Sequence, residues 1–211
     1  DHRLGCVFGD IHGEKLDREF YEKSLDFVKN YPISKIIAHD LHDFSSRNHH
    51  NRESGHFLAS MLGRTVEDDL QTTSQILVDF RNVLDDGDII VVQSNHDDAL
   101  KRWLDCNKYD PSKDPINAVT YHKLNAAVYS DIINKEPERP ILETSLAELQ
   151  LDSGLATFLN LDQSCLVHGV EVGYHGHTGT NGSRGSPAQF AKMGIPMVTG
   201  HTHSPSLIGN V

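Results

Sequence analysis

Cysteine is scarce in this chain: three in 211 residues. Cys6, Cys106 and Cys165 are scattered and contain no C-x-x-C pair. That excludes a disulfide framework and points to a reducing, cytoplasmic setting. Long hydrophobic runs are missing as well; none approaches the roughly 18–20 apolar residues of a membrane span, so no membrane partner is expected. Basic residues are outnumbered, 19 Lys+Arg against 30 Asp+Glu for a net charge of −11. A broad basic surface that grips nucleic acid by charge alone is thereby excluded. There is no signal-peptide pattern, internal repeat or low-complexity tract. With 37% hydrophobic and 23% charged residues, the composition is that of a folded domain with a sizeable core. What is abundant is histidine, 14 residues of it, and this raises the question of a metal site.

The expected organisation is one domain over 1–211, truncated at both ends. The chain enters a strand soon after Asp1-His2-Arg3 and stops at Asn210-Val211, shortly after a glycine-histidine turn of central character. A further strand beyond Val211 and further domains of a longer protein are expected. Apolar runs at Leu4–Gly9, Ser34–Ala38, Asp88–Gln93, Ser164–Val167 and Ile195–Thr199 predict strands. A helix is predicted from about Glu14 to Asn30, with Leu16, Phe20, Phe27 and Tyr31 on its inner stripe. A second opens with a Thr65/Asp68 capping box and carries Val66, Leu70, Leu77, Phe80 and Leu84 on its apolar face. Residues 98 to about 160 read as a helical insert broken by prolines. Strands alternating with helices make this an α/β fold.

Each predicted strand ends in a residue able to bind a cation. Asp10 and His12 follow the first, Asp40 the second, Asn95 and His96 the third, His168 the fourth, His201 and His203 the fifth. Ligands of open α/β sheets gather at this carboxyl edge. Asp10-x-His12 and His201-x-His203 each place two side chains on one face of an extended chain. Carboxylate, imidazole and amide oxygen together suit two hard-to-borderline dications sharing one carboxylate. Such a pair, about 3.5–4 Å apart, activates a bridging water and clamps phosphoryl oxygens. Its positive charge also lets an acidic chain accept an anionic substrate.

The ordered motifs G-D-I-H-G (9–13), H-D-L-H-D (39–43), S-N-H-D (94–97), L-V-H-G (166–169) and G-H-T-H (200–203) resemble the calcineurin-like metallophosphoesterase superfamily. The resemblance implies a four-layer sandwich, two mixed β-sheets flanked by helices. It implies that Asp10, His12 and His203 hold one metal, that Asn95, His168 and His201 hold the other, and that Asp40 bridges both. His96 would be the general acid or a phosphoryl stabiliser, and a metal-bridging hydroxide the nucleophile. His39 and Ser94 stand where the family has glycine, each one residue before a ligand. The second motif is more like that of double-strand-break repair nucleases than that of protein Ser/Thr phosphatases. The stretch 167–186 resembles the metallophosphoesterase domain of tailed-phage proteins, among them one that degrades DNA early in infection.

The leading expectation is therefore a two-metal phosphodiesterase acting on DNA, with Mn²⁺ as first choice and Fe, Zn, Ni or Mg as alternatives. A small-molecule phosphodiesterase or phosphomonoesterase, and an inactive protein-binding scaffold, are the rival readings. His168 is the first candidate for the fourth motif because it closes an apolar run; His175, after a second extended run, is placed at the rim against phosphate. Arg184 and free backbone N–H groups in the loop 178–186 suggest an anion contact. His42, Arg47, His49, His50, Arg52 and His56 form either a polar loop or a substrate rim. Tyr174 and Trp103 could stack on a base, though core packing is the simpler role.

Overall fold

Three of the predicted apolar runs lie side by side as parallel strands. The computed structural model describes residues 4–47, 56, 60, 63–105, 109–161, 163–179, 181–204 and 206–208. Strands β1 (Leu4–Phe8), β2 (Ile33–His39), β3 (Asp88–Val92) and β4 (Thr157–Leu159) form one parallel sheet in that order. Ile36 pairs with Ile89, Ile37 with Ile90 and Ala38 with Val91. Ile36, Ala38, Ile89 and Val91 enter the larger core, whereas Ile37, Ile90 and Val92 enter a second core. Strands buried on both faces read as unbroken apolar runs, which is why these two are plain in the sequence.

Helices supply the larger core. Helix α1 spans Arg18–Asn30, after a single 3₁₀ turn at Gly13–Lys15. Helix α2 (Val66–Val83) opens on the expected capping box, and Val66, Leu70, Leu77, Phe80 and Leu84 are all buried. The inner stripe expected for α1 is not the buried one. Tyr21 and Val28 face inward, while Phe20, Phe27 and Tyr31 are 71%, 48% and 53% exposed. Asp17 caps the helix by accepting from the Phe20 amide, and the Tyr21 hydroxyl donates to Asp79 of α2 at 3.3 Å. These anchors set the rotation of α1 against the hydrophobicity of its outer aromatics.

The stretch 98–160 is mostly helical, as expected, and packs into the main core. It contains α3 (Asn95–Asp105), α4 (Ala118–Asn134) and α5 (Ile141–Glu148). Trp103, Leu124, Leu142 and Leu146 join the main core, and β4 extends the sheet. Three residues of strand are too few to show a period of two, so β4 had no readable signal. Trp103 packs edge-on against Tyr121 at 5.0 Å between ring centroids, which makes it a core residue.

On the second face lies a hairpin of β5 (Leu166–Val167) and β6 (Val170–Glu171). The run expected as the last strand pairs beside it through the Glu171 amide to Pro196 O (2.9 Å) and the Val198 amide to Glu171 O (3.0 Å), a single parallel bridge rather than a full strand. Val167, Val170 and Val172 pack on Ile37, Ile90 and Val92. The result is an α/β fold with a parallel four-stranded sheet between helices and a small second sheet. Among the described residues no helix is long and apolar enough to cross a membrane. Cys6 and Cys165 are free thiols; Cys106 lies outside the described residues.

Candidate metal centre

The loops after β1 and β2 are zipped together before any side chain is considered. The amides of Ile11, His12 and Gly13 donate to the carbonyls of His39, Asp40 and Leu41 at 3.3, 2.7 and 3.2 Å. This continues the parallel ladder past the strand ends and brings Asp10, His12 and Asp40 to one spot. The Gly200 amide donates to His175 O at 3.0 Å, joining the last motif to the segment after β6. Gly200 is needed for its size: a Cβ there would meet the His39 Cβ at 2.7 Å. His39 is itself fully buried, its ring 5.8 Å from that of His175. Bulk gained at position 39 is thus matched by the absence of bulk at position 200. Ser94 is a helix cap: its amide donates to Asp97 Oδ2 at 2.8 Å and its hydroxyl receives the Asp97 amide at 3.4 Å. That reciprocal pair starts α3 and presents Asn95 and His96 on its first turn.

Asp10, His12, Asp40 and His203 each offer a ligand atom, all within 4.8 Å of one another. Nε2 of His12 lies 3.3 Å from Nε2 of His203 and 3.7 Å from Asp40 Oδ2; Nε2 of His203 lies 3.6 Å from Asp10 Oδ1. His175 Nε2 is 3.1 Å from the same Asp40 Oδ2 and 3.2 Å from Asn95 Oδ1. The His201 ring is 5.2 Å from that of His175. All four residues of the first group have left-handed backbone, with φ of 50° (Asp10), 44° (His12), 49° (Asp40) and 49° (His203). Such conformations cost non-glycine residues about 1–3 kcal/mol each and concentrate where function demands them.

The Asp10, His12, Asp40 and His203 group could hold a metal ion. Asp10 Oδ1 and both carboxylate oxygens of Asp40 are buried without a hydrogen-bond donor, an arrangement that is costly unless a cation satisfies it. Burial pushes the Asp40 carboxyl up to about 7 and also raises Asp10. Burial lowers His175 well below the ordinary range. Together with the nearby His177 and Arg184 charges, it lowers His201 to about 4. Both imidazoles are thus held neutral, the form that ligates a metal.

Asp43, overlooked as a site residue in the sequence, organises this group. It is fully buried; its Oδ1 accepts from His12 Nδ1 at 2.7 Å and its Oδ2 pairs with Lys15 Nζ at 2.7 Å and with the Ser45 hydroxyl. Burial alone would raise this carboxyl, but the hydrogen bonds from His12, Lys15 and Ser45 win and hold it well below the carboxylate range. A proton on His12 Nδ1 leaves the Nε2 lone pair aimed at the centre, the usual orienting role of a carboxylate behind a metal-binding histidine. The Asp43 carbonyl also accepts from His96 Nδ1 at 2.7 Å. One residue therefore steers two imidazoles, and its only sequence signal was a second Asp three residues after Asp40. Asp43→Asn is expected to weaken metal affinity by about 10–100-fold, read by metal titration.

His168 is not brought to this centre. It is exposed, in the two-residue turn joining β5 to β6, with His168 at φ 51° and Gly169 at φ 81°. Two left-handed residues make a hairpin turn that follows the twist of its strands, and His-Gly supplies them. What looked like a strand end at the sheet edge is a hairpin tip, and His175 stands beside Asp40 in its place. His42 is not on a rim either: it is fully buried, its Nδ1 3.0 Å from Thr73 Oγ1, and burial lowers it to about 3. Arg47 is held in a fork by Asp114 (Nε to Oδ2 2.8 Å, Nη2 to Oδ1 2.5 Å), a structural pair. His56 is exposed; His49, His50 and Arg52 lie outside the described residues. Arg184 is exposed in the glycine-rich loop, near enough to His201 to lower its basicity. The loop's own amides are largely used internally, Gly179 N to Ser183 O at 2.6 Å and Gly185 N to His177 O at 3.1 Å. The helix that follows is a single turn, Pro187–Phe190, capped by Ser186. Several amides of the expected cradle are therefore already taken within the loop, and Arg184 stays exposed beside it.

Fold and site together define an α/β protein whose Asp and His side chains converge at a sheet edge in groups that could hold a metal ion. The chain is similar to a bacteriophage protein, Protein A1 of Escherichia phage T5, at 45% identity over 219 residues, covering 100% of this chain and 39% of that protein. It thus spans well under half the length of the curated relative it matches. No protein-family model and no solved structure matches the chain.

Proposed function

We propose that this chain is the metallophosphoesterase-like domain of a phage protein and hydrolyses phosphodiesters, DNA foremost, with two divalent cations. The observation that carries the reading is the buried Asp40 carboxylate, which is grouped with Asp10, His12 and His203 and has His175 Nε2 3.1 Å from its Oδ2, with Asn95 Oδ1 3.2 Å from that same nitrogen. That is the layout of one bridging carboxylate between two half-sites. In this reading the first half-site is Asp10, His12, Asp40 and His203; the second is Asp40, Asn95, His175 and His201. A cation pair there supplies an activated water and neutralises charge on the phosphoryl oxygens. The chain's own contribution is orientation and proton handling. Asp43 fixes His12 through Nδ1, and its carbonyl fixes His96 so that Nε2 is the atom left to meet a leaving oxygen. The finer four-layer sandwich, Mn²⁺ as native metal, and further domains that hold the substrate belong to the same proposal.

The acidic net charge, −11, favours one second reading, a small-molecule phosphodiesterase that needs only the metals and a cation such as Arg184. Hydrolysis of bis-p-nitrophenyl phosphate, p-nitrophenyl phosphate, plasmid and single-stranded DNA with Mn²⁺ or Mg²⁺ separates the readings. Hydrolysis of neither DNA form alongside turnover of the small diester would favour the second. Metal content tests the half-sites: His175→Ala is expected to lose about half of the bound metal and His168→Ala none. Equal metal content in both variants would remove His175 from the site.

A further inference from the structure

The outer face of α1 carries aromatic rings that the core does not use. Phe20 and Phe27 stand seven residues apart on α1, a spacing that superposes on a 3.6-residue helix to within about 20°, and Tyr31 follows directly after the helix in extended backbone. All three are substantially exposed, and Phe27 and Tyr31 stack on each other with centroids 4.3 Å apart. The near end of this row opens onto the metal centre. A groove of about 560 Å³ is lined by Asp10, His12 and His203 together with Lys15, Phe20 and Ser24. Lys15 pairs with Asp43 but stays 62% exposed, so its ammonium has donors to spare.

We propose that this groove and the aromatic row form the track of a single-stranded nucleic acid. A base beside the reacting phosphodiester stacks on Phe20, the adjoining phosphate meets Lys15, and the strand continues along α1 towards Phe27 and Tyr31. The proposal rests on the phosphodiesterase reading for why a strand enters the site. The physical case is that an acidic chain gains little from long-range attraction to phosphate, whereas aromatic faces hold any base without regard to sequence. A duplex does not fit, because its bases are stacked internally and offer no face to Phe20.

The test is fluorescence anisotropy of labelled hexathymidylate on the whole chain at low salt, with EDTA present so that nothing is cut. Phe20→Ala is expected to weaken binding about tenfold, the size of one lost base–aromatic stack; Phe20→Trp should restore it. On an abasic strand of equal length the same alanine variant should change nothing. Phe20 is largely exposed, so its variants keep the fold, which circular dichroism checks. Unchanged affinity in Phe20→Ala, an equal loss on the abasic strand, or no binding by the unaltered chain would each overturn the track. Hydrolysis of bis-p-nitrophenyl phosphate by the unaltered chain is scored separately. If it fails while Phe20-dependent binding persists, the hydrolase reading falls and the track stands; if it succeeds while Phe20 is indifferent, the reverse holds.

Discussion

Asp40→Asn is expected to abolish hydrolysis, by about three orders of magnitude or more, while making the metal-free protein more stable. The loss follows from removing the one carboxylate that faces both half-sites: charge stabilisation of several kcal/mol is at stake, and each 1.36 kcal/mol is about tenfold in rate. The gain in stability has the opposite origin. In the metal-free chain the Asp40 carboxyl is buried with neither oxygen bonded to a donor, and burial pushes it from 3.8 up to about 7. Between those values the folded chain holds a proton that the unfolded chain has released. Stability contributed by this group is therefore intact below about pH 4 and is lost as pH rises through 7. Asparagine cannot ionise and removes that slope. At pH 8 in EDTA the variant should be stabilised by about 1–3 kcal/mol, the usual cost of a buried unsatisfied polar group. That corresponds to about 2–4 °C in Tm per kcal/mol. At pH 4 the two proteins should melt together. A variant that loses activity and melts lower at pH 8 would show Asp40 to be a structural acid instead.

His96→Ala is expected to keep the full metal content and lose about 10²–10⁴-fold in kcat, the range for a positioned general acid or base. His96 stands beside His12, its ring 4.8 Å from that of His12 and edge-on to it, with Nδ1 anchored on a backbone carbonyl. The choice between proton donor and phosphoryl stabiliser can be read from the leaving group. A nucleoside alkoxide needs a proton to depart, whereas p-nitrophenolate does not. If His96 is the acid, the alanine variant should be far more damaged on a dinucleotide than on bis-p-nitrophenyl phosphate. Equal damage on both would assign it to the phosphoryl group, and undiminished turnover would remove it from catalysis.

Much of this site was legible because its ligands follow strand ends directly. Asp10, His12, Asp40 and Asn95 come within a few residues of β1, β2 and β3, whose apolar runs are unmistakable. The capping box at Thr65/Asp68 is equally local, three residues from donor to acceptor, and the similar Ser94/Asp97 pair went unread. Where sequence reasoning failed, the deciding contact was distant or depended on backbone handedness. His168 was taken for a strand end because V-H-G-V does not show by itself that the chain reverses there. The outward aromatics of α1 were assigned to the core because periodicity marks a stripe without saying which stripe is buried.

By itself the sequence determined the chemistry: which residue types are available, that they stand at sheet edges, and that the chain is α/β. These are short-range facts, carried by strand periodicity and by side chains one or two residues beyond it. Only the tertiary structure decided which histidine stands beside Asp40, because His175 reaches Asp40 and Asn95 across 135 and 80 residues of chain. It also decided that Asp43 orients His12 and His96, that Arg47 belongs to Asp114, and that Phe20 faces the groove. Each of those depends on two segments packed from far apart, and a hydrogen bond between them leaves no periodic trace in either one.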